Sequence, residues 1–139
     1  MSEAQLQTRH RRWGWGCLAL FALVGLLLES LHGFKLAALV DHETRRSMWR
    51  LAHAHGALLG LVHLGFASQL TSDVGFSSER ARGVSVALRL ATICMPGGFA
   101  LGGAWYYDGD PGLGIALVPV GGVALIYACS RMWWASRDH

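Results

Sequence analysis

Five ionisable residues that could bind a metal or carry protons lie on the first two apolar segments of the chain. Glu29 and His32 stand near the end of the first segment, and His53, His55 and His63 follow on the second. Neutral imidazole is a common ligand for haem iron, copper, zinc and non-haem iron. An ionisable side chain at membrane depth is costly and by default marks a functional site. These five residues are therefore the candidate site.

Helical geometry decides which of the five side chains can cooperate. Glu29 and His32 are three residues apart and share one helical face. At about 100° per residue, His53 and His55 point about 200° apart, so both cannot face one small site. His63 lies roughly 12 Å further along the helix than His55. We predict a metal set of Glu29, His32 and His55, with His53 as an interhelical partner and His63 in a separate, deeper site.

The chemistry of this set fits more than one function. Two imidazoles and a carboxylate suit a transition metal such as iron, copper or zinc. Two histidines from facing helices could instead hold haem b through its axial positions. Either arrangement predicts a redox or accessory role and leaves open whether the protein is an enzyme.

The same histidines also fit two functions without a cofactor. Imidazole and carboxylate groups can hydrogen-bond across membrane helices and simply fix their packing. That alternative is a noncatalytic membrane subunit or assembly factor with structural histidines. A third alternative is a small transporter or proton-relay module that uses Glu29 and the histidines in a water-filled path.

Four long apolar segments must position these side chains. A membrane helix needs roughly 20 mostly apolar residues, and such segments run over about 13–39, 48–70, 84–104 and 114–134. Together they leave no room for a soluble domain, so residues 1–139 form one integral membrane domain. The predicted fold is all-α, a four-helix transmembrane bundle.

The basic residues predict the orientation and the partners. Lys and Arg are more frequent on the side of the N-terminus, the second loop and the C-terminus, which puts both termini in the cytoplasm. We expect a multi-pass protein of the bacterial inner membrane, because the first apolar segment lacks a small-residue cleavage site and is retained. The arginines flank the apolar segments rather than forming a basic stripe, so no nucleic-acid partner is expected. The lipid bilayer is the expected partner, together with a homo-oligomer or a larger membrane complex.

Small residues recur at four-residue spacing in the apolar segments. Ala52, Gly56 and Gly60 follow this spacing in the second segment, as Gly98 and Gly102 do in the third. Small residues four apart form a groove that lets membrane helices approach closely. The pattern predicts close packing within the bundle, with dimerisation through one groove as the alternative.

Four short stretches, 28–35, 53–60, 95–103 and 110–114, resemble small uncharacterised four-helix bacterial membrane proteins. That resemblance implies the bundle fold and no particular activity. The His-x-His helix is also distantly similar to the histidine-bearing helices of haem-copper oxidase subunit I. This second likeness is confined to one short stretch. The chain lacks the further spans and histidines of an oxidase, so oxygen reduction is not implied.

Overall fold

The computed structural model describes residues 3–70 and 78–137, and the chain there is built from helices with no β-strand. The helices are α1 (Glu3–Gly33), the short α2 (Ala37–Val40), α3 (Glu43–Gln69), α4 (Ser78–Ala104) and α5 (Leu117–Ala135). A single 3-10 turn, Leu113–Ala116, leads directly into α5.

Four of these helices, α1, α3, α4 and the Leu113–Ala135 segment, are long and apolar enough to cross a membrane. This confirms the predicted all-α architecture with four membrane-spanning candidates. α1 has 31 residues and is about 46 Å long at about 1.5 Å per residue, which exceeds the ~30 Å thickness of the hydrocarbon layer. Its polar first turns therefore extend beyond the apolar stretch that begins at Trp13.

The first helix ends earlier than the predicted span. The Lys35 backbone has a φ of 51°, in the left-handed region. The Lys35 N–H donates to the His32 carbonyl, and the Leu36 N–H donates to the Leu31 carbonyl. These two bonds and the left-handed residue form a Schellman motif, which stops a helix while satisfying its last carbonyl groups. Residues 34–36 therefore form a turn that leads into α2, rather than continuing α1 to Leu39.

The long helices pack in the order α1, α3, α4, α5, with α1 touching α4 only lightly and α5 packing chiefly on α4. In the apolar stretch of α4, 61% of the residues are buried, compared with 11% for α1 and for α5. α4 is therefore the central helix, and α1 and α5 are peripheral. The core between α3 and α4 is centred on Leu59, Phe66, Val84 and Leu88.

Glycines let α1 and α3 approach each other closely. A Cβ atom on Gly14 would lie 2.9 Å from the carbonyl oxygen of Gly60, and one on Gly60 would lie 3.0 Å from the carbonyl oxygen of Gly14. Gly56 faces the ring of Phe21 in the same interface. This confirms the predicted role of the small residues in packing within the bundle. The close approach holds the two helices that carry all the histidines of the candidate site.

Candidate functional site

A pair of histidines lies between α1 and α3, near the end of the bundle that carries the start of α1. His10 of α1 and His63 of α3 are each 0% exposed. Their Nδ1 atoms are 2.6 Å apart, and their ring centroids are 4.7 Å apart. A nitrogen–nitrogen distance this short requires a hydrogen bond in which one ring donates and the other accepts.

Hydroxyl groups of α4 bond to the remaining nitrogens of both rings. His10 Nε2 lies 2.8 Å from Ser85 Oγ, and His63 Nε2 lies 3.0 Å from Thr92 Oγ1. Thr92 Oγ1 donates to the Leu88 carbonyl oxygen at 2.8 Å. One buried hydrogen-bonded chain therefore connects α1, α3 and α4, and we call it the histidine chain: Ser85, His10, His63, Thr92 and the Leu88 carbonyl.

The end of the histidine chain fixes the direction of every bond in it. A carbonyl can only accept, so the Thr92 hydroxyl donates to Leu88 and accepts from His63 Nε2–H. A neutral His63 then accepts at Nδ1 from His10 Nδ1–H, and His10 Nε2 accepts from the Ser85 hydroxyl. All four ring nitrogens are satisfied with both imidazoles neutral. The opposite tautomers would fit only if both hydroxyl groups turned around.

Aromatic rings and one cation surround the pair. Phe66 meets the His10 ring edge-on with centroids 4.8 Å apart, and Trp13 lies 5.6 Å from the His63 ring. On α4, the Arg89 Nε donates to the Ser85 carbonyl oxygen at 3.2 Å. The rings keep water away from the pair, and the guanidinium adds positive charge beside it.

Glu29 and His32 lie far along α1 from His10, at the opposite end of the bundle. Both side chains are exposed. With Arg46 and Arg50 of α3 they line a small cavity of about 20 Å³. A cavity of this size has room for about one water molecule. The two guanidinium groups would repel a metal cation at this place.

His53 and His55 point to different helices, as their angular separation predicts. The Nδ1 of His53 lies 2.6 Å from the Phe21 carbonyl oxygen of α1. The His55 Nδ1 bonds to the Leu51 carbonyl of its own helix at 2.9 Å, and its ring packs against Phe99 of α4 at 4.8 Å. Because a carbonyl only accepts, each Nδ1 carries the hydrogen and each Nε2 is left as the basic nitrogen.

The structure thus brings Glu29 and His32 together but does not join His55 to them. Within residues 3–70 and 78–137, no three His, Cys, Asp or Glu side chains form a group that could hold a metal ion. His63 lies in the pair with His10, and His53 bonds across to α1. Binding of haem or a metal by the five residues stays a prediction.

His10 is the functional candidate that sequence analysis missed. It stands in the basic run 9–12, which reads as a solvated membrane flank, before the apolar segment begins at Trp13. The signal that could have found it is the spacing of Leu6, His10, Gly14 and Cys17, which places all four on one helical face. These are buried residues of α1.

Comparison of the chain with protein-family models, with curated proteins and with solved structures gave no match. The candidate site is therefore interpreted from its own geometry and chemistry.

Proposed function

We propose that this protein is a noncatalytic multi-pass membrane protein, a subunit or assembly partner of a larger membrane complex, whose histidine chain fixes the arrangement of three helices. The observation that carries the proposal is the complete use of the buried pair. Both nitrogens of His10 and both nitrogens of His63 are already bonded within the chain. No ring nitrogen of the pair is left over for a substrate or a ligand.

The spacing of the pair favours a shared proton over a metal ion. A metal held between two imidazole nitrogens, at about 2.0–2.1 Å from each, needs about 4 Å between them when the ligands are opposite. The Nδ1 atoms of His10 and His63 are 2.6 Å apart. In this arrangement a proton fits between the two rings, and a haem iron or a zinc ion does not.

A buried histidine chain suits a role in specifying the fold. Hydrogen bonds between membrane helices contribute only about 0.6 kcal/mol on average and about 1.7 kcal/mol at most. A buried polar group left without a partner costs about 1–3 kcal/mol. The histidine chain therefore stabilises the native arrangement of the helices modestly. It destabilises any shift of α1, α3 or α4 that separates its members. That property is useful in a protein whose helix surfaces must match a partner.

We also propose that both termini face the cytoplasm of a bacterium and that the protein resides in its inner membrane. The support is the excess of arginines at the end of the bundle that carries the start of α1. Arg89 adds to it, because its guanidinium reaches back along α4 toward Ser85 and thus toward that end. A long basic side chain inside a membrane helix normally reaches for the nearer surface in this way.

Haem or metal binding at His53 and His55 is the second candidate function, and one observation favours it. In each residue the Nδ1 is committed to a backbone carbonyl. This is the arrangement in which metal-binding histidines usually present Nε2 to the metal. The two rings face different helices. They would therefore bind two separate metal ions, or each would supply one axial ligand to a haem.

One comparison tests the proposed function against this second candidate. Wild type, His10→Ala, His63→Ala and His55→Ala are purified from haem-replete cells and compared for absorption spectrum, metal content and thermal stability. The proposal predicts that His10→Ala and His63→Ala lower stability and leave spectrum and metal content unchanged. A Soret band or stoichiometric metal that disappears in either of these two variants would overturn it.

A further inference from the structure

A groove of about 890 Å³ runs between α4 and α5 on the outer surface of the bundle. Its floor is made of small residues such as Ala87 and Ala124, each 9% exposed. Its walls are larger aliphatic side chains, among them Val86 and Val123, which are 56% and 69% exposed. Small residues below and branched residues on both sides leave a shallow, open channel on the outer face of the bundle.

The lining of the groove is almost entirely apolar, and a charged residue, Arg82, stands at one end. That end lies near the start of α4, where Arg82 and Gly83 meet Tyr127 of α5. A Cβ atom on Gly83 would lie 3.1 Å from the Tyr127 hydroxyl oxygen, so the absence of a side chain lets the hydroxyl rest on α4 beside Arg82. Arg82 and Tyr127 therefore both line the groove at the end that lies near the start of α4.

We propose that this groove binds an anionic phospholipid. One acyl chain lies in the channel, and the phosphate is met by the Arg82 guanidinium and the Tyr127 hydroxyl. The Arg82 side chain is exposed, and within residues 3–70 and 78–137 it makes no hydrogen bond or ion pair. From Arg82 to Leu90 the channel follows about 12 Å of α4, enough for the upper part of an acyl chain.

Charge decides between a lipid and a second copy of the protein. A two-fold symmetric dimer through this face would bring the two Arg82 side chains to the same depth. Like charges at a poorly solvated interface repel each other. A phosphate at that depth neutralises the guanidinium instead, and each basic side chain near an anionic membrane surface contributes about 1 kcal/mol to such binding. The site lies apart from the histidine chain and does not rest on the proposed function.

The test is a titration of the detergent-solubilised full chain with phosphatidylglycerol or phosphatidylcholine, followed by native mass spectrometry of the retained lipid. Wild type is expected to retain phosphatidylglycerol preferentially. Arg82→Gln is expected to lower that affinity about fivefold, equivalent to about 1 kcal/mol. Arg11→Gln removes the same charge from an exposed position on α1, at the same end of the bundle, and is the matched control.

A second pair of variants separates the acyl channel from the charge. Ala87→Leu fills the floor of the groove and is expected to lower the affinity for both lipids. Ala22→Leu makes the same enlargement on the exposed face of α1 and should leave it unchanged. Equal binding of the two lipids by wild type, or equal losses in Arg82→Gln and Arg11→Gln, would overturn the proposal. So would a dimer in wild type that Ala87→Leu converts to a monomer, because the groove would then hold a second copy.

Discussion

His10 and His63 share one hydrogen bond through their Nδ1 atoms, and each ring uses its Nε2 atom to bond a hydroxyl of α4. The pair thus connects α1 and α3, which pack against each other, to α4 at the centre of the bundle. Its rings are fully buried. A change in the position of any one of the three helices breaks at least one bond of the chain.

The glycine contact between α1 and α3 predicts that alanine substitutions at two glycines of α1 change the stability in opposite directions. Gly14→Ala places a Cβ atom 2.9 Å from the backbone oxygen of Gly60, so the helices must separate, and overpacking of this kind costs about 1–3 kcal/mol. Gly16 has no atom within 4 Å of its Cβ position, so Gly16→Ala should gain up to about 1 kcal/mol of helix propensity. Thermal unfolding in detergent measures both. Equal effects of the two substitutions would contradict the close approach.

The direction of the histidine chain predicts specific tautomers. In wild type, His10 carries its hydrogen on Nδ1 and His63 carries its hydrogen on Nε2. Thr92→Val removes the acceptor of the His63 Nε2–H, and a buried orphan donor is especially unfavourable. We expect the hydrogen bonds of the histidine chain to reverse direction, so that His63 carries its hydrogen on Nδ1 and His10 carries its hydrogen on Nε2. Nitrogen-15 NMR of the imidazole rings distinguishes the two states.

Thr8→Val is the matched control for this experiment, since Thr8 is exposed on α1. It should leave both tautomers as in wild type. The assigned direction is wrong if wild-type His63 already carries its hydrogen on Nδ1, or if Thr92→Val changes neither ring.

Cofactor binding by His55 predicts that substitution of this residue changes the absorption spectrum or the metal content of the protein. If His55 ligates haem, the protein from haem-replete cells shows a Soret band, and His55→Ala removes it. If it ligates a non-haem metal, elemental analysis gives a near-stoichiometric value that the same substitution lowers. His42→Ala removes a half-buried imidazole that stacks on Tyr106 and should change neither signal. If wild type shows neither a Soret band nor bound metal, the second candidate function is contradicted.

Hydrophobicity alone was enough to predict the four long helices, because each apolar run exceeds the length that spans a bilayer. The angular argument for His53 and His55 was also sufficient, since a separation of about 200° sends them to Phe21 on one side and Phe99 on the other. Both predictions depend only on the geometry of one helix.

Contacts between helices were harder to predict from the sequence. Whether Glu29 lines a cavity with His55 or with Arg46 and Arg50 depends on the rotation of α1 against α3 and on the turn at Lys35. His10 was missed because a histidine among arginines has the composition of a solvated flank. His10 lies one turn before Gly14, whose close contact with Gly60 holds that face of α1 against α3.

A double-mutant cycle on His10 and His63 tests the central claim most directly. Each single alanine substitution leaves buried groups without partners and should cost about 1–3 kcal/mol of unfolding free energy for each such group. The double variant should lose less than the sum, by a coupling energy between about 0.6 and 1.7 kcal/mol, the average and the maximum for interhelical bonds in membranes. His10→Ala combined with His55→Ala, which share no partner, should be additive within about 0.3–0.5 kcal/mol. Additivity of His10→Ala and His63→Ala within that same margin would contradict the account.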